Sequence, residues 1–198
     1  MSAEERKITR DDIIPLEDYA KQRNERRTAM SALKRRRRVE VGPYATFYFE
    51  SYETMWQQIH EMLYIEKGGE EQISDELSAY NPLIPQGREL VATLMFEIDD
   101  PVRRHNVLAR LGGVEETITL SVGGDTIRAV AEEDIDRTTA EGKASSVQFI
   151  HFPFTDAQVA GFRDPSTQVL VGINHPTYGH IAVMSPEVQQ TLAGDFGE

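Results

Sequence analysis

The stretch NPLIPQGRELVATLMFEI, residues 81–98, separates two kinds of sequence and decides the fold class. Pro82 and Pro85 restrict the residues that precede them, so residues 81–87 predict a rigid connector without regular structure. Before this connector, apolar residues recur at helical spacing; after it, the period changes to two. Residues 89–98 therefore predict the first long strand of a sheet.

The N-terminal side of the connector predicts helices. Ser51 is a suitable N-cap for a helix over residues 51–66, whose apolar face is formed by Tyr52, Met55, Trp56, Ile59, Met62 and Leu63. A shorter helix is predicted over residues 72–80. Residues 16–38 contain good helix formers but few apolar positions, so this helix is expected to pack along one narrow stripe and to end within residues 39–43.

The C-terminal side predicts strands joined by short connections. A hairpin is expected over residues 117–130, and further strands over residues 147–152, 168–173 and 180–184. Helices followed by strands indicate an α+β fold. The expected architecture is an N-terminal basic helical arm and helices, followed by a largely antiparallel sheet with short flanking helices. The expected domains are the arm, residues 1–43, and a single α+β domain, residues 44–198.

Composition narrows the classes of site that the chain can carry. The sequence has 198 residues and no cysteine, which excludes disulfides, thiolate zinc sites, iron–sulfur ligation and a cysteine nucleophile. The N-terminus has no apolar signal segment, and no stretch approaches the roughly 18 uninterrupted apolar residues of a membrane helix. These features predict a cytoplasmic protein that does not span a membrane.

Charge is divided unevenly along the chain. The net charge is −12, yet residues 1–40 hold 12 basic and 8 acidic residues, whereas residues 41–198 hold 9 and 25. The acidic body would repel a polyanion, so binding of nucleic acid is not favoured. It also offers the basic helix a surface to lie on, either in the same chain or in a second copy.

The run Arg35, Arg36, Arg37 and Arg38 is the strongest local signal, and we interpret it as a candidate anion-binding site. Two alternatives remain open. The run can form ion pairs with carboxylates of the following helix, for which Glu50, Glu53 and Glu61 are the expected partners, or it can bind nucleic acid.

Histidines and carboxylates provide two candidate metal sites. His151, His175 and His180 are predicted at strand ends, and the last two flank one turn, so they can converge on a metal or act as acid–base groups. Glu53 and His60 share the polar stripe of the helix over residues 51–66 and form a second candidate. Iron or zinc would suit such ligands. The alternative is that each histidine is a hydrogen-bonded structural residue.

Several segments resemble an uncharacterised bacterial family, the domain-of-unknown-function family 3501. They are RRVEVGP (37–43), QIHEMLYIE (58–66), NPL (81–83), ELVATLM (89–95) and INHP (173–176). The resemblance covers nearly the whole chain. It implies no established activity and no catalytic residues. It does imply a genomic setting beside rubrerythrin-like and iron–sulfur oxidoreductase proteins.

These observations support three hypotheses. The first is an accessory or interaction protein of a redox system, working as a homo-oligomer or with a redox-protein partner. The second is a metal-binding protein or enzyme that uses histidine and carboxylate ligands. The third is a module that binds an anion or nucleic acid through the arginine run. The phosphate-binding and nucleophile-elbow motifs of common enzymes are absent, so the sequence assigns no reaction.

Overall fold

The computed structural model describes residues 3–132 and 138–197. Within these residues the helices are α1 (Leu16–Arg35), α2 (Tyr52–Glu66), α3 (Gly69–Tyr80), α4 (Pro101–Leu108), α5 (Asp156–Arg163) and α6 (Pro186–Ala193). The strands are β1 (Arg38–Val41), β2 (Ala45–Phe49), β3 (Glu89–Phe96), β4 (Ile118–Val122), β5 (Asp125–Arg128), β6 (Val130–Ala131), β7 (Val147–Pro153), β8 (Val169–His175) and β9 (Tyr178–Val183).

The strands form two antiparallel sheets. The first has the order β1-β2-β3-β7-β6, and the second has the order β5-β4-β8-β9. In the first sheet β3 lies at the centre, with Thr93 opposite both Tyr48 of β2 and Phe149 of β7. In the second sheet β4 and β8 are central, and Leu120 lies opposite Val171. The α+β class and the antiparallel pairing expected from the sequence are confirmed, although two sheets are present instead of one.

The five-stranded sheet packs against a core on each of its two faces. On one face Leu90, Ala92 and Leu94 of β3 join the inward side chains of the second sheet in the main core. On the other face Val91 packs in a second core, formed with residues of α2, α3 and the segment that precedes α1. Because side chains alternate along a strand, β3 serves both cores at once. The face toward the helices, here called the helical face, also carries Thr93 and Met95.

Local signals explain where α2 begins and ends. The Ser51 side chain accepts a hydrogen bond from the Thr54 amide, as an N-cap residue does. The helix ends at Lys67, which adopts a left-handed conformation with φ of 54°. The predicted helix over residues 51–66 is thereby confirmed. The third helix begins at Gly69, three residues earlier than expected.

The basic arm differs from its expected form at its C-terminal end. The first helix stops at Arg35, and Arg38 already begins β1, which pairs with β2 at the edge of the five-stranded sheet. The expectation that the helix continues to residue 38 is therefore wrong. Val39 and Val41 alternate with charged residues and are buried, as in a half-buried edge strand.

Arg37 joins the beginning and the end of the chain. Its Nε donates to the Phe49 carbonyl oxygen at 2.9 Å, and its Nη2 donates to the Glu50 carbonyl oxygen at 2.9 Å. The same Nη2 lies 2.5 Å from Oδ2 of Asp195, and the two side chains are only 5% and 11% exposed. Arg37 thereby fixes the turn between α1 and β1 against β2 and the C-terminal segment.

None of the described helices is long and apolar enough to cross a membrane.

Replacement of Asp195 by Ala is expected to destabilise the protein by about 3–5 kcal/mol, because it leaves the buried Arg37 guanidinium without its counter-charge. Asp156→Ala is the control. It breaks an ion pair with Arg88 whose side chains are 52% and 84% exposed, so the expected loss is at most about 1 kcal/mol. Urea denaturation of the two variants measures both values. Equal losses would show that the Arg37–Asp195 pair has no special role.

Candidate functional site

A cleft lies between α1, α2 and the helical face of the five-stranded sheet. It has an inner cavity of about 420 Å³ and an outer groove of about 370 Å³. Lys34 of α1, Tyr48 of β2 and Gln58 of α2 line both spaces, so the two are adjacent. Each volume lies within the roughly 300–1,000 Å³ that is usual for ligand pockets.

The inner cavity is mostly apolar. Its apolar and aromatic lining is Met55, Tyr80, Leu83, Met95, Val147 and Phe149, which come from α2, α3, the connector, β3 and β7. The polar groups of the lining include Glu50, which directly follows β2, and Thr93, in the centre of β3. An apolar wall with a small number of polar groups is typical of a site for a small organic molecule.

Glu50 is a buried carboxylate that two hydroxyl groups hold in place. Its Oε1 accepts a hydrogen bond from Thr93 Oγ1 at 2.6 Å, and its Oε2 accepts one from Thr54 Oγ1 at 2.5 Å. Glu50 is only 6% exposed to solvent. Within residues 3–132 and 138–197, no Lys, Arg or His side chain forms an ion pair with it. The carboxylate therefore lines the cavity without a direct ion pair, although Lys34 lines the same cavity.

The outer groove is cationic. Arg27, Lys34 and Arg35 of α1 and Arg38 of β1 line it, together with one carboxylate, Glu61. Glu61 is already neutralised by Arg23, whose Nε and Nη2 donate to its two oxygens at 3.0 and 2.9 Å. This arginine holds the pKa of the Glu61 carboxyl below its ordinary value. The mouth of the cleft therefore has an excess of positive charge.

Polar and aromatic contacts, more than apolar ones, hold α1 over the cleft. Tyr19 is the one described α1 residue that is buried, and its hydroxyl donates to Glu61 at 2.6 Å. The guanidinium groups of Arg23 and Arg26 lie 4.6 and 4.5 Å from the ring centres of Tyr64 and Trp56. These contacts explain how a helix with few apolar residues is held in place. The narrow stripe that faces α2 makes mostly ionic and cation–π contacts.

His60 is part of this attachment and is not available as a metal ligand. Its Nδ1 donates to the Trp56 carbonyl oxygen at 2.7 Å, and its Nε2 accepts from the Ile14 amide at 3.2 Å. Both nitrogens are therefore occupied in a neutral ring, and burial lowers the pKa of His60. Glu53 is exposed and accepts a hydrogen bond from Ser51. Glu53 and His60, expected as a candidate metal pair, thus have separate hydrogen-bond partners.

The four arginines of the run lie in different environments. Arg37 is buried and bound to internal oxygen atoms, so it cannot serve as part of an anion site. Arg36 is exposed and does not line the cleft, whereas Arg35 and Arg38 do. The expected pairing of the run with Glu50, Glu53 and Glu61 is wrong for Arg37, whose carboxylate partner is Asp195. The predicted anion site is thus reduced to Arg35 and Arg38, joined by Arg27 and Lys34.

His151 lies outside the cleft, between two carboxylates. Its Nδ1 is 2.8 Å from Glu89 Oε2, and its Nε2 is 2.5 Å from Glu132 Oε1. Burial alone would lower the pKa of His151, but the two carboxylates outweigh it and raise the pKa above the ordinary value. This residue sits on β7, in the five-stranded sheet.

His175 and His180 lie on β8 and β9 of the other sheet, opposite ends of their shared turn. The His175 ring contacts Thr177 and the Gly112 carbonyl oxygen, and the His180 ring packs 4.5 Å from the Tyr178 ring centre. The three histidines expected to converge therefore have separate partners. In the part of the chain that the structure describes, no three His, Asp or Glu side chains are grouped to hold a metal ion.

The sequence did not identify Glu50, Thr93 or Lys34 as one site. Glu50 is visible as an acidic residue directly after an apolar strand, but nothing in the sequence shows that Thr93 lies beside it. That proximity depends on the pairing of β2 with β3, where Phe49 lies opposite Ala92.

Loss of the His151 contacts should have a pH-dependent effect on stability. Because the folded pKa is raised, the contribution is complete below the unfolded value of about 6.5 and is lost as pH rises through the folded pKa. We expect His151→Gln to lower the melting temperature most near pH 5.5 and progressively less at higher pH. His180→Gln, at an exposed histidine, is the control. A constant difference between wild type and His151→Gln across this range would contradict the assignment.

Comparison with known proteins places the chain in a family. The family described as Protein of unknown function (DUF3501) matches residues 7–196. A crystal structure of a novel protein of unknown function from Burkholderia pseudomallei K96243 superimposes with a TM-score of 0.89 at 39% identity, covering 96% of this chain and 99% of that one. No curated protein matches. The family matched is the one that the sequence segments resemble, and the chain belongs to the DUF3501 family.

Proposed function

We propose that this protein binds a small organic anion in the cleft between α1, α2 and the five-stranded sheet. The observation that carries the proposal is that a cationic groove lies beside an apolar cavity and shares Lys34, Tyr48 and Gln58 with its lining. The charged end of the ligand would lie among the cations of the groove. Its apolar part would extend inward against the aromatic wall.

The charge distribution favours a small anion over a polyanion. Residues 41–198 carry 25 acidic and 9 basic residues, so the net charge of this part of the chain would repel a nucleic acid. A carboxylate or phosphate that fits between α1 and the sheet meets Lys34 and Arg35 first. Neither of these two side chains forms an ion pair within the described residues. They therefore remain able to bind a ligand.

Tyr48, which lines both the groove and the cavity, is held in a fixed position. Its hydroxyl donates to Glu97 Oε1 at 2.7 Å, and Thr46 donates to the other oxygen of the same carboxylate at 2.9 Å. Burial, aided by Glu97, raises the pKa of Tyr48 to about 12, so the ring stays neutral at physiological pH. A neutral ring held at its outer edge provides a fixed surface between groove and cavity.

A second proposal is an accessory role with a redox-protein partner or a second copy of the chain. It is supported by the setting that the family resemblance implies and by α1, of which Tyr19 is the one buried residue described. The outer face of this helix is exposed, and its basic side chains include Lys21, which pairs with Asp18 at 2.8 Å but stays accessible to an acidic partner.

The anion proposal predicts that 8-anilinonaphthalene-1-sulfonate, an aromatic anion whose fluorescence rises in apolar sites, binds the wild-type protein and is displaced by octanoate. Arg35→Ala and Arg38→Ala should each weaken binding about tenfold, since a charged hydrogen bond contributes about 1.5–3 kcal/mol.

Arg36→Ala is the matched control because it removes a neighbouring exposed cation outside the cleft, and binding should change less than about twofold. If all three variants weaken binding equally, the anion is attracted by the general charge of the run. Retention of the protein on a polyanion column that depends on Arg36 would then favour nucleic acid.

The accessory proposal predicts a salt-sensitive assembly. Light scattering after size-exclusion chromatography should show a mass above 22.4 kDa at low salt, or an oxidoreductase should co-purify from native cells. Lys21→Glu, on the exposed face of α1, should reduce the association, and Glu17→Gln provides a control on the same exposed turn. A monomer without a partner at every salt concentration would rule out this role.

A further inference from the structure

We infer that the ligand of the cleft also carries a protonated amine, which Glu50 binds at the inner end, so that the ligand is a zwitterion with an apolar body. The inference rests on the proposed function for the position of the anionic end, but a different residue carries it. Glu50 is buried and lines the inner cavity, whereas Arg27, Arg35 and Arg38 line only the outer groove.

Two hydroxyl groups fix the Glu50 carboxyl group at the cavity wall. Its Oε2 lies 2.5 Å from the Thr54 hydroxyl, and its Oε1 lies 2.6 Å from the Thr93 hydroxyl. The Thr54 hydroxyl accepts from the Ser51 amide at 2.8 Å, and its own proton has two acceptors, the Ser51 carbonyl oxygen at 3.1 Å and the nearer Glu50 Oε2. Two oxygens of neighbouring hydroxyl groups therefore orient the Glu50 side chain.

The Glu50 carboxylate forms no ion pair with a described residue, although Lys34 lines the same cavity. Burial of a carboxylate without a direct ion pair is costly, so an ammonium group that reaches it would be favoured. An ionised carboxylate can accept about four hydrogen bonds, of which the threonines use two. The remaining lone pairs suit an ammonium group, which supplies both the missing donors and the missing charge.

The wall around Glu50 fits a cation better than a second anion. Tyr48, Tyr80 and Phe149 line the same cavity, and aromatic faces attract ammonium groups. In the outer groove Arg35 and Arg38 repel an amine and attract a carboxylate. The two ends of the cleft therefore have opposite charge preferences, and a zwitterion bound in one orientation satisfies both.

The test compares three probes with the same chain length on the wild-type protein: 8-aminooctanoate, octanoate and octylamine. Isothermal titration calorimetry should show that 8-aminooctanoate binds at least about tenfold tighter than octanoate. Glu50→Gln, which keeps the size of the side chain, should abolish this advantage without weakening octanoate. Glu53→Gln is the control, because that carboxylate is close to Glu50 in sequence but is exposed and does not line the cleft.

The possible outcomes separate the two proposals. Octanoate binding as tightly as 8-aminooctanoate would overturn the zwitterion and leave the anion site standing. Octylamine binding that depends on Glu50, without any octanoate binding, would support the amine site and overturn the anion proposal. Because the probe comparison on the wild-type protein needs no substitution, misfolding of Glu50→Gln would not prevent a decision.

Discussion

The buried guanidinium of Arg37 is the constraint on which the rest of the architecture depends. It occupies the turn between α1 and β1 and is bound by the carbonyl oxygens of Phe49 and Glu50 and by the Asp195 carboxylate. Burial raises the pKa of Asp195, and the attraction of Arg37 only partly offsets that effect. A pair of this kind specifies one arrangement more than it adds stability. Here that arrangement sets the direction in which α1 leaves the sheet. The same guanidinium also fixes the backbone of Glu50 through its carbonyl oxygen.

The cleft follows from the way β3 divides its side chains. Leu90, Ala92 and Leu94 fill the core between the sheets, while the opposite face is covered by helices along only part of its length. Val91 lies beneath α2 and α3, but Met95 and its neighbours on β7 line an open cavity. Because α1 has too few apolar residues to fill that space, the uncovered part of the helical face remains accessible.

Most helices and strands can be predicted from the sequence, but little of the candidate site can. The period of two after residue 89 and the apolar face of α2 are local patterns, and the structure bears out both. Two local signals were misjudged: the alternation in residues 38–41 is a strand, and one member of the arginine run is internal. The position of Glu50 beside Thr93 depends on strand register, and the separation of His151 from His175 depends on a second sheet. Neither is encoded in spacing along the chain.

The attachment of α1 has a consequence for how the cleft opens. The sheet is held by apolar cores, whereas α1 lies on α2 through Tyr19, an ion pair with Glu61 and two arginine–aromatic contacts. Elements with little buried apolar area form the cooperative units that unfold locally at the lowest free energy. Amide hydrogens of α1 should therefore exchange with solvent long before those of β3. The cleft then has one rigid wall and one wall that detaches as a unit, so a ligand can enter without disturbing the cores.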